Sequence, residues 1–179
     1  MSEILLTNQS TPATPASGKI ALFASSGGIA SQVNDAGVVA ALGGGGASYQ
    51  ATPADPTGTN NTTGLMMGLA GAITPVSSGR VCYSITGDVA NNTTADGAKL
   101  GLYYGTGTAP ANAAAITGTA IGAVPVYSAA ANNQRVPFNI TVIITGLTLG
   151  TAYWLDLMLG AVTGGTAVVK NLTVTAFEF

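Results

Sequence analysis

The strongest constraint on the fold is the alternation of apolar and polar residues in the segment RVPFNITVIITG, residues 135–146. One parity is entirely apolar, at Val136, Phe138, Ile140, Val142 and Ile144. The other parity holds Asn139, Thr141 and Ile143. Because successive side chains of a β-strand point to opposite faces of a sheet, this period of two predicts a strand with one face in a core.

Seven β-rich runs, separated by turn signals, continue this pattern after residue 64. The runs are residues 65–73, 79–87, 98–105, 119–129, 135–146, 151–159 and 167–179. Residues 48–61 and the Ala-rich residues 109–118 are predicted to be loops. Seven or eight strands with no helix predict an all-β fold, an antiparallel jelly-roll-like β-sandwich.

Residues 1–46 are predicted to form a separate small β-meander. The segments GKIALFA, GGIASQV and GVVAAL read as strands, and the turn signals between them supply positive φ angles. The glycine run at residues 43–46 predicts a hinge, which divides the chain into residues 1–46 and residues 47–179. A unit of this size buries too little surface to be stable alone, so we expect it to dock onto another protein.

Charged residues are scarce, at 7% of the chain against roughly a quarter in ordinary soluble domains. This composition predicts a surface rich in Thr, Asn, Ser and Gly, or one that partners cover. The net charge is −2, and the five Lys and Arg residues are scattered along the chain. No nucleic-acid partner is expected, because binding to phosphate backbones requires a basic patch.

Neither a signal peptide nor a membrane span is predicted. The opening MSEILLTNQS has only three consecutive aliphatic residues and lacks a basic flank. The most apolar stretch, residues 153–162, contains Asp156 and is too short to cross a bilayer. We therefore expect no membrane partner and synthesis in the cytoplasm without a signal peptide.

Residues suited to catalysis are few. The chain has no histidine, which excludes Ser-His-Asp and Cys-His sites. Asp88 and Asp96 flank an Asn- and Thr-rich loop and could act as paired carboxylates or calcium ligands, although turn carboxylates are the simpler interpretation. Cys82 is the one cysteine and is interpreted as an inert residue of a buried strand. We predict a protein that is not an enzyme, with no catalytic, metal or cofactor-binding residue.

Aromatic residues offer one candidate for ligand binding. Tyr103, Tyr104 and Tyr153 could contact a glycan, because aromatic rings provide apolar faces with polar edges. Adjacent aromatic residues of a strand point to opposite faces, so one of Tyr103 and Tyr104 is expected to lie in the core.

The chain resembles structural proteins of tailed bacteriophages in two places. The opening TPATPASGKIALFASSGGIASQVNDAG is similar to a segment near the amino termini of many such proteins, with Pro-spaced small residues, a Gly-Lys-aliphatic-aromatic stretch, a turn and Asp-x-Gly. The stretches YYGTGTAPANAAAITGT and VPFNITVIITGLTLGTAYWLDLMLGAVTGGTA, with the ending AFEF, resemble β-sandwich modules of phage fibres and capsid-decorating proteins. Together the two resemblances span most of the chain.

The resemblance implies a non-enzymatic virion structural protein on the exterior of the phage particle. Such proteins are generally homotrimers, so this chain is expected to be a capsid decoration or head-fibre protein that binds the major capsid protein or another virion protein. Ile20, Leu22 and Phe23 are the candidate anchors of the amino-terminal unit, because an apolar strand without its own core must be covered. They could alternatively pack on their own sandwich.

The alternative function is host attachment, as a tail-fibre tip or carbohydrate-binding module whose tyrosines contact a host-surface glycan. The stretch ITGLTLGTAYWLDL also resembles the loop-to-strand corner of fibronectin type III domains, at Leu147, Gly150, Thr151 and Tyr153. In those domains the tyrosine hydroxyl is hydrogen-bonded to nearby backbone.

Overall fold

The computed structural model describes residues 10–24, 30–41, 46–128 and 131–179, with the side chains of Ala40 and Ala41 left out. Across these ranges the chain forms thirteen β-strands and no helix. The strands are β1 (Ile20–Ala24), β2 (Ala30–Asn34), β3 (Val39–Ala41), β4 (Ser48–Ala51), β5 (Leu65–Met66), β6 (Gly71–Ile73), β7 (Val81–Asn91), β8 (Gly97–Thr106), β9 (Thr119–Ile121), β10 (Val126–Ser128), β11 (Val136–Ile144), β12 (Tyr153–Ala161) and β13 (Ala167–Glu178).

The strands form three antiparallel sheets. The amino-terminal sheet has the order β1-β2-β3. Sheet I has the order β11-β7-β13-β4. Sheet II has the order β10-β8-β12-β5, with β9 also paired to β8 and β6 also paired to β12. The prediction of an all-β chain, with a β-meander followed by an antiparallel sandwich, is confirmed.

The main core lies between sheets I and II. It contains the inward-facing residues of the long strands, among them Tyr83, Ile85, Leu100, Leu102, Leu155, Leu157, Val169 and Val174. The predicted inner parity of β11 is also correct. Phe138 and Ile144 are buried in this core, and the other three residues of that parity are partly buried against it, namely Val136, Ile140 and Val142. Full burial of one such side chain contributes roughly 1.5–3 kcal/mol.

A second, smaller cluster covers the outer face of sheet II. Trp154, Met158 and Met66 are buried there beneath Ile116 and the alanines of the loop that joins β8 to β9. The loop is fixed to β5 by two hydrogen bonds, in which Met66 N–H donates to Ala114 and the N–H of Ala113 donates to Met66. The loop prediction for residues 109–118 is therefore correct, and this loop closes the outer face of sheet II.

Glycine makes this close packing possible. Gly118 has a φ of 81°, in the left-handed region, and a Cβ at this position would collide with the ring of Trp154. A Cβ at Gly105 would lie 2.5 Å from Trp154 Cζ2. The tryptophan ring can therefore pack against both Gly105 and Gly118 only because neither position carries a side chain.

Three features of the fold differ from the sequence prediction. Residues 48–51 were expected in a loop but form β4, because they pair with the edge of β13 and tertiary pairing outweighs the weak local preference of SYQA. The predicted runs 65–73 and 119–129 each divide into two short edge strands, and positive φ angles at Gly68 and Ala70 interrupt the first of them.

The predicted hinge lies mostly outside the described residues, which include only Gly46 of the run 43–46. Gly46 itself is tightly packed, since a Cβ there would lie 2.7 Å from the Cβ of Glu178. The division between residues 1–46 and 47–179 stays a prediction.

Candidate interaction surfaces

Strand β1 separates the three predicted anchor residues onto two faces. Ile20 and Leu22 lie on one face and are 59% and 52% exposed. Phe23 lies on the opposite face with Val33 and is only 2% exposed. Ile20 and Leu22 stay predicted anchors, whereas the side chain of Phe23 is already covered and offers no contact surface.

Side-chain hydrogen bonds hold the amino-terminal sheet together. Asn34 Oδ1 accepts the N–H groups of Ala36 and Val38 at 3.0 and 2.9 Å, which fixes the turn between β2 and β3. Asp35 Oδ2 accepts the N–H of Gly18 at 2.7 Å and so fastens the segment before β1 to the same turn. The face with Ile20 and Leu22 therefore belongs to an organised sheet.

The three candidate tyrosines do not form one platform. Tyr104 and Tyr153 share a face, with ring centroids 6.1 Å apart, and both pack at the margin of the main core. Tyr103 points to the opposite face of sheet II, where it packs against the Trp154 cluster. The expectation that Tyr103 and Tyr104 face opposite sides is correct.

Tyr153 also forms a corner of the kind seen in fibronectin type III domains. Its hydroxyl accepts a hydrogen bond from the N–H of Thr148 at 3.0 Å. The hydroxyl therefore serves to fix the loop before β12, and a glycan would have to compete with this bond.

Asp88 lies within β7 and belongs to a surface network. Arg135 is paired with it at 3.2 Å, and Asn171 Nδ2 donates to it at 2.8 Å. The hydrogen bond from Asn171 and then the one from Arg135 lower the pKa of Asp88.

Asp96 precedes β8 and has a different set of partners. Burial would raise its pKa, but three N–H donors outweigh that effect and lower the pKa. The donors are Gly97, Thr163 and Gly164, at 2.8, 3.1 and 2.7 Å. Among the described residues Asp88 and Asp96 share no partner, so each carboxylate serves to connect the strands around it.

Two buried carboxylates that sequence reasoning missed play a similar structural role. Asp156 lies on the central strand β12 and accepts the N–H groups of Gly68, Leu69 and Leu157. Burial raises its pKa, and the three donors oppose that rise without cancelling it. Asp156 thus provides the hydrogen-bond acceptors for backbone N–H groups between β5 and β6, where the predicted edge strand divides.

Glu178 is the most heavily hydrogen-bonded side chain described. Its carboxylate accepts five backbone N–H groups, from Ala47, Val76, Ser77, Ser78 and Gly79. Burial would raise its pKa, but these donors hold the pKa far below the ordinary range. Because the donors lie 99 to 131 residues away in sequence, no local pattern could have revealed the site.

The outer face of sheet I, which points away from the main core, is called here the sheet I face. Strand register arranges its side chains in four cross-strand rows. The rows are Ile143, Cys82, Phe177 and Ser48; Thr141, Ser84, Thr175 and Gln50; Asn139, Thr86 and Thr173; and Pro137, Asp88 and Lys170. The buried position predicted for Cys82 is wrong, because this residue has the outward parity of β7 and is half-buried on that face.

Within the parts of the chain that the structure describes, no three His, Cys, Asp or Glu residues are grouped so that they could hold a metal ion. Among the same residues, no helix has the length and apolarity needed to span a membrane. A comparison with protein-family models gave no match, and a comparison with curated proteins gave none either.

Proposed function

We propose that this chain is a non-enzymatic structural protein of a tailed-phage virion, a homotrimeric capsid decoration or head-fibre protein that binds the shell through residues 1–46. The observation that carries the proposal is the amino-terminal sheet, which among the described strands pairs with neither sheet of the sandwich and exposes Ile20 and Leu22 side by side. The sequence resemblance described above supplies the identity of the particle.

The energetics suit attachment through many weak contacts. Full burial of an Ile or Leu side chain contributes roughly 1.5–3 kcal/mol, so two half-exposed ones supply about 2 kcal/mol per copy before the cost of association. Three linked arms would raise the effective concentration of each at the shell, and the trimer would then be held securely by individually weak contacts.

The strand order supports the jelly-roll interpretation of the sandwich. The chain crosses repeatedly between the sheets, which places β11-β7-β13-β4 opposite β10-β8-β12-β5. Jelly rolls consist of eight strands in two such sheets, and they are a common fold of viral capsid proteins.

Electron microscopy of purified phage particles, labelled with an antibody raised against this chain, tests the proposal. Label over the whole head would support decoration. Label confined to the tail end would support the host-attachment alternative, and particles without label would refute a virion role altogether.

The anchor is tested by adding purified full-length chain to particles that lack it. The double variant Ile20→Ser/Leu22→Ser should bind at least about tenfold more weakly, since two apolar contacts are lost. Val126→Ser is the matched control, because Val126 is 56% exposed on the sandwich. Equal binding by the double variant and the control would rule out Ile20 and Leu22 as anchors.

A further inference from the structure

We propose that Glu178 closes a strap, residues 46–51, and that this strap sets the length of the connection between the amino-terminal unit and the sandwich. The proposal rests on the proposed role of residues 1–46 as the attachment unit and adds a conformational device to it. Strand β3 ends at Ala41, and residues 42–45 lie outside the described residues. The strap is therefore the first described segment that follows the amino-terminal sheet.

Glu178, the last residue of β13, is bonded to the beginning of the strap through both its side chain and its backbone. Its Oε2 accepts the N–H of Ala47 at 3.1 Å, and its own N–H donates to the carbonyl oxygen of Ala47 at 2.7 Å. Gly46 packs so closely on Glu178 that an added Cβ would collide with its carbonyl oxygen and lie 2.7 Å from its Cβ. A single residue therefore holds both of the residues that precede β4.

The same carboxylate is bonded to a loop that the sandwich holds in place. This loop, residues 74–80, joins β6 to β7 and provides four of the five N–H groups that the carboxylate accepts. The loop is held in turn by the segment between β11 and β12, because the N–H groups of Leu147 and Gly150 donate to its backbone at 3.0 and 2.8 Å. Glu178 therefore fastens the strap to a part of the sandwich that is already fixed.

The other attachments of the strap that the structure describes are modest. Strand β4 has four residues, lies at the edge of sheet I and pairs with β13. Tyr49 packs against the main core, whereas the side chains of Ser48 and Gln50 are exposed. Local opening of a protein starts at elements with few buried contacts and exposed backbone hydrogen bonds. Loss of the contacts with Glu178 should therefore let the strap detach while the other strands of sheet I stay paired.

The state of the strap determines the reach of the amino-terminal unit. With the strap closed, the connection comprises residues 42–45, which can span at most about 14 Å. After β4 the chain is held to β13 again at Asp55, whose Oδ1 accepts the N–H of Asn171 at 2.8 Å. Detachment up to this point gives a connection of residues 42–54, which can span at most about 45 Å. A closed strap therefore limits how far each attachment unit can move from its sandwich, and a shorter connection raises the effective concentration of linked units.

Hydrogen exchange of the full-length chain, followed by mass spectrometry, tests the strap. Gly46→Ala perturbs the contact from the strap side, because the new methyl group meets Glu178 at a residue whose φ is outside the left-handed region. Glu178→Gln perturbs it from the other side, because the amide oxygen is expected to face the three donors of the loop and the NH₂ group then faces the N–H of Ala47. Gly164→Ala is the matched control, since its φ is also outside that region and its Cβ would lie 3.9 Å from Asp96 Oδ2, an ordinary contact.

In the wild-type chain and in Gly164→Ala, the amides of residues 47–51 should be protected from exchange. Gly46→Ala and Glu178→Gln should each exchange these amides at least about tenfold faster, while the amides of β11, the other edge strand of sheet I, keep the wild-type rate. Gly46→Ala decides the question if Glu178→Gln does not fold.

Three results would overturn the proposal. In Gly46→Ala, these are unchanged exchange of residues 47–51, or equal acceleration in β4 and β11, which would mean that the contact stabilises the whole sandwich and not the strap. In the wild-type chain, it is exchange of residues 47–51 at the rate of an unfolded chain, which would mean that the strap is already open. None of these results involves phage particles, so the virion role is tested separately by the particle labelling.

Discussion

Replacement of Glu178 by Gln is the perturbation whose cost can be worked out most directly from the structure. One carboxylate oxygen accepts the N–H groups of Ser77, Ser78 and Gly79, and the other accepts those of Ala47 and Val76. The amide of Gln keeps one acceptor oxygen and turns the other into an NH₂ group, which cannot accept. At least two backbone donors then lose their acceptor.

A hydrogen bond to a charged group contributes roughly 1.5–3 kcal/mol net, so the loss of two predicts a decrease of about 3 kcal/mol in the free energy of unfolding. For a chain of this size that corresponds to a melting temperature about 6–12 °C lower. The decrease in the free energy of unfolding can be measured by denaturant unfolding followed by tryptophan fluorescence, because Trp154 is the single tryptophan and lies in the sandwich.

Asp55→Asn is the matched control, because Asp55 accepts one exposed N–H, from Asn171 at 2.8 Å. This variant should lose less than about 1 kcal/mol, since Asn retains an acceptor oxygen. If the free energy of unfolding of Glu178→Gln were within about 0.5 kcal/mol of the wild-type value, the usual range for a surface substitution, the structural role assigned to the five donors would be wrong.

The same pair of proteins gives a prediction for pH. The pKa of Glu178 is depressed in the folded chain, so its stabilising effect is fully present above the ordinary value of 4.5 and is lost as the pH falls toward the folded pKa. The stability difference between the wild-type chain and Glu178→Gln should therefore shrink by about 1.4 kcal/mol per pH unit below that value. A difference that stays constant down to about pH 3 would contradict the assignment.

Two further predictions use paired variants in the same unfolding assay. Gly118→Ala should cost about 3 kcal/mol, because the new methyl group meets the Trp154 ring at a positive φ, whereas Gly107→Ala, with φ 78° and open space, should cost only about 1 kcal/mol. Equal losses in the free energy of unfolding for the two glycine variants would show that the Trp154 ring can move aside. Tyr153→Phe should lose about 1 kcal/mol with its corner hydrogen bond, but Tyr83→Phe should be neutral or stabilising, because the buried Tyr83 hydroxyl has no partner among the described residues. Destabilisation by Tyr83→Phe would point to an unrecognised partner.

The sequence predicted the long strands well, because apolar and polar residues alternate strongly along them and the core that they face determines this alternation. The parity of β11, the turn at residues 34–37 and the corner at Tyr153 could all be read from local residues. Strand β4 could not, because its four residues become a strand only by pairing with β13.

The carboxylate sites escaped prediction for a related reason. Glu178 and Asp156 look like ordinary charged residues in apolar strands, and their partners come from loops that are remote in sequence. The position of Cys82 was predicted wrongly because its apolar neighbours Val81 and Tyr83 were given more weight than the alternation, which places Cys82 with Arg80 and Ser84 on the polar parity of RVCYSI. The register with β11 and β13 agrees with that alternation.

The strand order of sheet I has a consequence for the rate of folding. None of its hydrogen-bonded neighbours are consecutive in the chain, and β4 must find β13 across more than a hundred residues, whereas β1, β2 and β3 are joined in sequence order. Hairpins form in about 1–10 μs, but sandwiches rich in distant contacts fold in milliseconds to seconds. The meander should therefore form before the sandwich, while β7 and β4 still lack their shared neighbour β13. Aggregation of newly made chains is favoured during that interval, because unpaired strand edges are exposed.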